Sequence, residues 1–269
     1  PSRGGPSSSP LDLEGDSLAF SIGLSHPIIR SRAKNLSAFL RLDYLDTQSK
    51  ILGTIDSEDF VRAIRLGTEF DFVDSLRGIS RMNFVLTQGL PVLDHSQSKD
   101  SDNSRPEASS EHTKLEASLS RLQGLPARVN LLLEVAGQFT FSDLLVSEEF
   151  TFGGRRFGRA YDVGELAGDH GLGLLAELQY GFALPTKWLE SAQVYTSYDF
   201  GLVWNRESGL PRGKHDDASS WAAGIRLNVT TWLAIEAQLA VPLTRDALVE
   251  DSGRDPRGFF SISARWPVN

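Results

Sequence analysis

The chain has 269 residues, a formal net charge of −8 and no cysteine. A disulfide framework, a zinc knuckle and a thiol nucleophile are therefore excluded, and the acidic balance argues against a nucleic-acid-binding surface. No run approaches 18 apolar residues, which rules out a membrane-spanning helix, whereas a mean hydropathy of −0.21 is compatible with a β-barrel, where only alternate residues face lipid. In chain order, residues 1–16, opening PSRGGPSSSP, read as a flexible leader or loop remnant. From 17 to 269 period-two alternation dominates and helical periodicity is nearly absent. The alternation predicts eleven strands, at about 17–25, 35–47, 58–73, 78–90, 113–124, 127–141, 169–183, 191–206, 219–232, 233–244 and 258–267.

The pattern is cleanest in the second half. Val129, Leu131, Leu133, Val135, Phe139 and Phe141 share one face, opposite Arg128, Asn130, Glu134, Gln138 and Thr140. Val194, Thr196, Tyr198, Phe200, Leu202 and Trp204 likewise oppose Gln193, Ser197, Asp199, Gly201 and Asn205. Trp221, Ala223, Ile225, Leu227 and Val229 oppose Arg226, Asn228 and Thr230. Strands of soluble sandwiches run about 5–6 residues, and most of these run well past ten. Membrane-spanning strands need about 9–11. Connections also sort by length. Those after 35–47, 78–90, 127–141, 191–206 and 233–244 are expected to be long, and those after 58–73, 113–124, 183 and 232 short. Outer-membrane barrels place short turns at the periplasm and long loops outside. The fold class expected is all-β, a transmembrane antiparallel barrel, with a soluble β-rich binding domain as the alternative.

Two loops stand apart. Residues 94–112, DHSQSKDSDNSRPEASSEH, have almost no apolar content and read as a solvated external loop. Residues 142–168 are apolar and glycine-rich, with Leu144, Leu145, Val146, Phe150, Phe152, Phe157 and Tyr161. Such a segment belongs out of water, and in a barrel the place to bury it is the lumen.

The second loop carries ordered submotifs: Ser147-Glu148-Glu149-Phe150, Gly153-Gly154, Gly158-Arg159-Ala160-Tyr161-Asp162, Gly168-Asp169-His170-Gly171 and Glu177-Leu178-Gln179-Tyr180. This run resembles the sixth-loop region of the two-partner-secretion transporters. That is the haemolysin-activator or filamentous-haemagglutinin-transporter family of the Omp85 superfamily. The family core reads Arg-Gly-Tyr, and here Ala160 replaces its glycine.

The resemblance implies a sixteen-stranded barrel with five strands after the motif loop, as counted here. Five earlier strands, a plug helix and two POTRA domains are then expected upstream, so that 17–269 is the C-terminal barrel portion. It implies that Arg159 pairs in the lumen with Asp199, the loop-anchoring partner. Gly153, Gly154, Gly158, Ala160, Tyr161 and Asp162 complete the core, with Gly168, Asp169, Gly171 and Glu177 in support. It implies a non-enzymatic translocation pore in the bacterial outer membrane, with a secreted haemolysin- or adhesin-type partner. Lipids, lipopolysaccharide and the barrel assembly machinery are the further partners it implies. An Omp85 assembly factor for membrane proteins is the alternative within the superfamily.

Other chemistry is sparse. His26, His95, His112, His170 and His215 show no metal-ligand spacing, and no phosphate-loop or serine-nucleophile motif is present. No cofactor, metal or nucleic acid is expected. The acidic groups Asp12, Glu14 and Asp16, and Asp216 and Asp217, read as solvated loop charge, with a weak cation site as the alternative. Trp188, Trp204, Trp232 and Trp266 fall near strand ends, where a barrel carries its aromatic girdle.

Overall fold

The computed structural model describes residues 2–3, 13–182, 189–206, 215–245 and 254–265. A two-residue piece, β1 (Ser2–Arg3), pairs with Glu14 and Gly15 at the start of the first long strand. Among the described residues, eleven long strands form one antiparallel sheet. They are β2 (Leu13–Arg30), β3 (Lys34–Ile51), β4 (Thr54–Val73), β5 (Gly78–Gly89), β6 (Thr113–Gly124), β7 (Val129–Thr140), β10 (His170–Phe182), β11 (Ser191–Trp204), β12 (His215–Thr230), β13 (Leu233–Pro242) and β14 (Arg257–Ala264). Each pairs with its neighbour in chain order, with β7 joined directly to β10. Between β7 and β10, β8 (Phe150–Phe152) and β9 (Leu166–Gly168) form a separate two-stranded ladder. The expected eleven strands are all present. The expected flexible stretch 1–16 is corrected at 13–16, which already belong to β2, while 1 and 4–12 lie outside the described residues.

Alternation decides which side of the sheet each residue takes. In β10, Gly171, Gly173, Leu175, Glu177 and Gln179 face inward and are buried. Leu174, Leu178, Tyr180 and Phe182 face outward and are exposed. In β11, Tyr195, Ser197, Asp199, Gly201 and Val203 are the inward set. An apolar exterior with a polar interior is the reverse of a soluble core and suits lipid outside.

All long connections lie at one end of the sheet: 90–112 after β5, 141–169 after β7, 205–214 after β11 and 243–256 after β13. The opposite end has 31–33, 74–77, 125–128, 183–190 and 231–232. One expected long loop is absent. Residues 48–57 extend β3 and β4 into a hairpin closed by Leu52 and Gly53, both at positive φ (52° and 76°). A type I′ turn needs that geometry and normally recruits Asn or Asp at its first position. The leucine there hides the turn from a sequence reading. The strands β2, β3 and β4, at 18, 18 and 20 residues, exceed the roughly 9–11 needed to span a membrane, so this hairpin projects beyond the bilayer.

The small acidic clusters also settle into strands. Glu14 and Asp16 belong to β2, Asp216 and Asp217 to β12, and Asp216 pairs with Arg245; Asp12 lies outside the described residues. Trp204 ends β11 and stacks on His170 at 5.2 Å between ring centres, and Trp232 is exposed in the β12–β13 turn. Trp188 and Trp266 lie outside the described residues.

If the end bearing the long connections faces the cell exterior, an epitope inserted at Leu52–Gly53 will be bound by antibody on intact cells. An epitope at 125–128 will be bound only after permeabilisation. The opposite labelling pattern would invert the topology.

Candidate functional site: the motif loop and its charged sockets

The segment 141–169 folds back onto the inward face of β7, β10, β11 and β12. It descends through a 3-10 turn at Val146–Glu148 and β8, turns over 153–165, and returns through β9. Phe152, Phe157, Tyr161 and Leu166 are buried against Ala136, Leu175, Val203 and Ala218 of the wall. The wall is shaped to receive them. A Cβ on Gly171 would overlap the ring of Phe150, and one on Gly201 the ring of Phe152. Glycine inside a strand marks such a close approach, and these two positions are sockets for the loop aromatics. At the tip, Gly153 holds φ +119°, and a Cβ there would strike the carbonyl oxygen of Asp162. Its N–H donates to the Phe157 carbonyl at 3.2 Å, and that of Gly154 to the Tyr161 carbonyl at 3.1 Å. Ala160 rests on Ala222 and Ala240, all three fully buried. Small wall residues thus accommodate the methyl at that position.

Arg159 sits at the centre, and its partner differs from the expectation. The guanidinium donates to Glu177 Oε2 at 2.7 Å and to Ser197 Oγ at 3.1 Å. Asp199 instead receives the backbone N–H of Arg159 at 3.4 Å and the Ser220 hydroxyl at 3.1 Å. The sheet register explains the shift. Asp199 lies opposite Leu175, and Glu177 opposite Ser197, one inward level nearer the short-turn end. The loop backbone docks at the level of Asp199, and the long side chain carries its charge down to Glu177.

Glu177 is fully buried and gathers further donors. Arg226 reaches its two oxygens at 2.7 and 3.3 Å, and Gln179 Nε2 donates at 2.8 Å. Arg226 also donates to Glu236 at 3.0 Å and lies 3.8 Å over the Tyr195 ring. The Tyr195 hydroxyl stands 2.8 Å from both Glu236 and Gln238. Two arginines on one buried carboxylate are charge-assisted contacts of the stronger kind. A cleft of about 420 Å³ remains beneath the tip, between Arg155, Tyr161 and Asp162 of the loop and Arg226, Arg257 and Phe259 of the wall. Arg257 closes its rim on Asp162 at 2.7 Å.

A second layer lies nearer the long-loop end. Glu148 is held by Arg65 at 2.6 Å and Lys114 at 2.9 Å, with His112 Nε2 at 3.6 Å. Asp169 takes both arms of the Arg105 guanidinium, at 2.5 and 3.1 Å, and the N–H groups of Leu144 and Arg206 at 2.9 and 3.0 Å. Gln138 Nε2 ties the two arms of the loop together within this layer, donating to the carbonyls of Glu148 and Asp169 at 3.0 and 3.1 Å. Arg105 belongs to the segment expected to be solvated. In fact Ser96, Asn103, Arg105, Ala108, Ser110 and His112 are buried. Hydrogen bonds rather than apolar area order this loop. Burial disfavours the Glu148 carboxylate, yet His112, Lys114 and Arg65 together hold its pKa well below the usual carboxyl range. Burial likewise opposes the Asp169 carboxylate, and the Arg105 contact with the Arg206 and Leu144 N–H groups outweighs it and lowers that pKa too.

Of the motif residues, Gly153, Gly154, Gly158, Arg159, Ala160, Tyr161 and Asp162 form the tip, while Gly168, Asp169, Gly171 and Glu177 line its path back into β10. Sequence reasoning missed Arg65, Lys114, Tyr195, Arg226 and Glu236. Each lies within a strand with its side chain on the inner face, and that parity was the available signal. Arg105 had none, being one charge among many in a polar run.

Two outcomes follow for this packing. Gly201→Leu forces Phe152 from its socket, and cleavage by added protease within 142–168 should rise in the detergent-solubilised protein. Because the folded pKa values of Glu148 and Asp169 lie below the unfolded ones, their stabilisation is complete above about pH 4 and is lost as pH falls further. The temperature of heat-modified migration should drop as pH falls from about 4 to about 2; equal temperatures at about pH 4 and pH 2 would contradict this.

Comparison with known proteins gives a consistent answer. Residues 5–227 match the model of the haemolysin secretion/activation protein family ShlB/FhaC/HecB. Among solved structures, the chain is similar to CdiB from Escherichia coli, with a TM-score of 0.77 and 18% identity over 94% of this chain and 46% of that one. It is similar to CdiB from Acinetobacter baumannii, with a TM-score of 0.69 and 20% identity over 94% and 42% of the two chains. BamA from Haemophilus ducreyi lacking POTRA domains 1–3 aligns at a TM-score of 0.64 and 13% identity, over 93% and 55%. The chain thus spans just under half the length of the two CdiB chains. No curated protein matches it. With an apolar exterior, a polar interior and the motif loop seated within, the chain belongs to the ShlB/FhaC/HecB haemolysin secretion/activation family of bacterial outer-membrane β-barrel proteins.

Proposed function

We propose that the protein is the outer-membrane pore of a two-partner secretion system, exporting a large haemolysin- or adhesin-type protein from periplasm to cell surface. The observation that carries this reading is the motif loop docked on the polar inner face through Arg159 and Glu177. A lumen lined by Glu177, Gln179, Gln193, Arg226, Glu236 and Gln238 offers hydrogen-bonding partners to an extended chain while the exterior stays apolar. The loop occupies that lumen at rest. Export requires no bond chemistry from these residues, and folding of the cargo outside supplies direction. Outer-membrane lipid and lipopolysaccharide are the surrounding partners of this reading, and the barrel assembly machinery is its route of insertion. Asp199 acts as the backbone anchor of the loop and Glu177 as the counter-ion of its arginine.

Removing one side of a buried ion pair costs about 3–5 kcal/mol, a factor of more than a hundred in the docking equilibrium. In the full-length protein, Arg159→Ala and Glu177→Ala should each cut export of the partner at least tenfold, on the order of that shift, with insertion retained. Glu177 also neutralises Arg226, so its loss should be the more severe. Arg159→Lys keeps the charge but not the planar fork and should recover only part. Asp199→Asn retains an acceptor for the Arg159 N–H and should be milder than either alanine variant. Export assays on inserted, heat-modifiable protein measure this ranking. A larger defect in assembly of other outer-membrane proteins than in partner export would favour the assembly-factor reading.

A further inference from the structure

The motif loop is also gripped by a second segment from the long-loop end, which the export reading leaves unused. Residues 90–112 leave β5 and run along the exposed edge of β4. The Leu90 N–H donates to the Arg62 carbonyl at 2.7 Å, and the Ser96 N–H to the Phe60 carbonyl at 3.1 Å. The Glu58 N–H donates to the Asp102 carbonyl at 2.6 Å. Asp59 receives the Ser104 N–H at 2.9 Å and its hydroxyl at 2.7 Å. From this anchorage the segment reaches across to the motif loop. Ser104 Oγ accepts the Val146 N–H at 3.1 Å.

Arg105 then contacts the motif loop on both arms. On the descending arm it donates to the Leu144 carbonyl at 2.7 Å and Glu149 at 2.9 Å; on the returning arm it holds Asp169 with two bonds. Arg105 and Asp169 are both buried. One side chain therefore clasps the two ends of the loop together, from a separate segment that is itself fastened to the barrel wall.

We propose that 90–112 is a strap that holds the motif loop in its resting position, with Arg105 as its positioning residue, and that the strap must release for an exported chain to leave. The proposal rests on the export reading for its biological meaning. The clasp itself is testable without it. Neutral variants at Arg105 leave Asp169 without its cationic partner, so they weaken the grip on both arms at once. Arg105→Lys keeps the charge while losing the two-pronged contact.

These 269 residues lack cysteine, so in a full-length protein with any cysteine elsewhere replaced by serine, Ser104→Cys with Val146→Cys provides a single addressable cross-link across the strap contact. Oxidation of that pair should lower partner export at least roughly tenfold, and reductant should restore it. In planar bilayers, Arg105→Ala should raise open-state occupancy by at least roughly tenfold, with Arg105→Lys between it and the wild type. Export indifferent to a formed cross-link would overturn the strap. So would Arg105→Ala protein that inserts and conducts like the wild type. If both introduced thiols react with an impermeant maleimide on cells instead of linking, the strap is not docked. Should Arg105→Ala fail to insert, the cross-link decides alone. If the wild type exports no partner, the export reading fails, while conductance of the oxidised and reduced pair still tests the clasp.

Discussion

The structure depends on one electrostatic constraint: an arginine carried by an apolar loop can enter a barrel only if buried carboxylates wait for it. Arg159 is nine-tenths buried, and an unpaired guanidinium there would be prohibitively costly. Glu177 meets it, and Glu177 in turn needs Arg226 and Gln179 to complete its own hydrogen bonding. The arrangement recurs with its charges reversed at the other end of the loop, where the loop carboxylates Asp169 and Glu148 take Arg105 and the wall cations Arg65 and Lys114. Half-satisfied networks are worse than apolar packing, so these groups stand or fall together. The aromatics supply area, but the ion pairs set where along the wall the loop can rest.

The arrangement has a directional character. The sockets at Gly171 and Gly201 admit rings that a Cβ would exclude, and they lie on β10 and β11, the strands that carry Glu177 and Asp199. The charged contacts of the loop spread further, from Arg65 on β4 to Arg257 on β14. A loop docked in this way is held by many modest contacts, with a few buried charged ones fixing its position. The strap at 90–112 adds contacts from a different part of the wall, so displacement of the loop is coupled to a segment at the long-loop end.

Much of this was legible in the chain itself. Strand number and order follow from strict alternation, and the five strands after the motif loop match the family pattern. The burial of 142–168 follows from its aromatics, which no solvated loop carries so densely. What escaped sequence reasoning was cross-chain pairing. Arg159 was assigned to Asp199, and only the register, which sets Glu177 opposite Ser197, shows that the side chain reaches one level further. The order of 94–112 escaped because it arises from Ser104 on Asp59 and Arg105 on Asp169, contacts between residues far apart in sequence. Composition records the scarcity of apolar area there and is silent on hydrogen bonds. The extended β3–β4 hairpin escaped because Leu52 occupies a left-handed position that usually announces itself with Asn or Asp.

Everything else in the site depends on the motif loop resting against the β10–β12 wall inside the barrel. That docking is tested most directly by combining Ala160→Cys with Ala222→Cys, two positions that the structure packs together at full burial. In intact outer membranes of cells making the full-length protein, this pair should oxidise to a disulfide in high yield, and the thiol introduced on the loop should resist an impermeant maleimide. Free thiols at both positions, with the loop thiol readily labelled from solution, would contradict it.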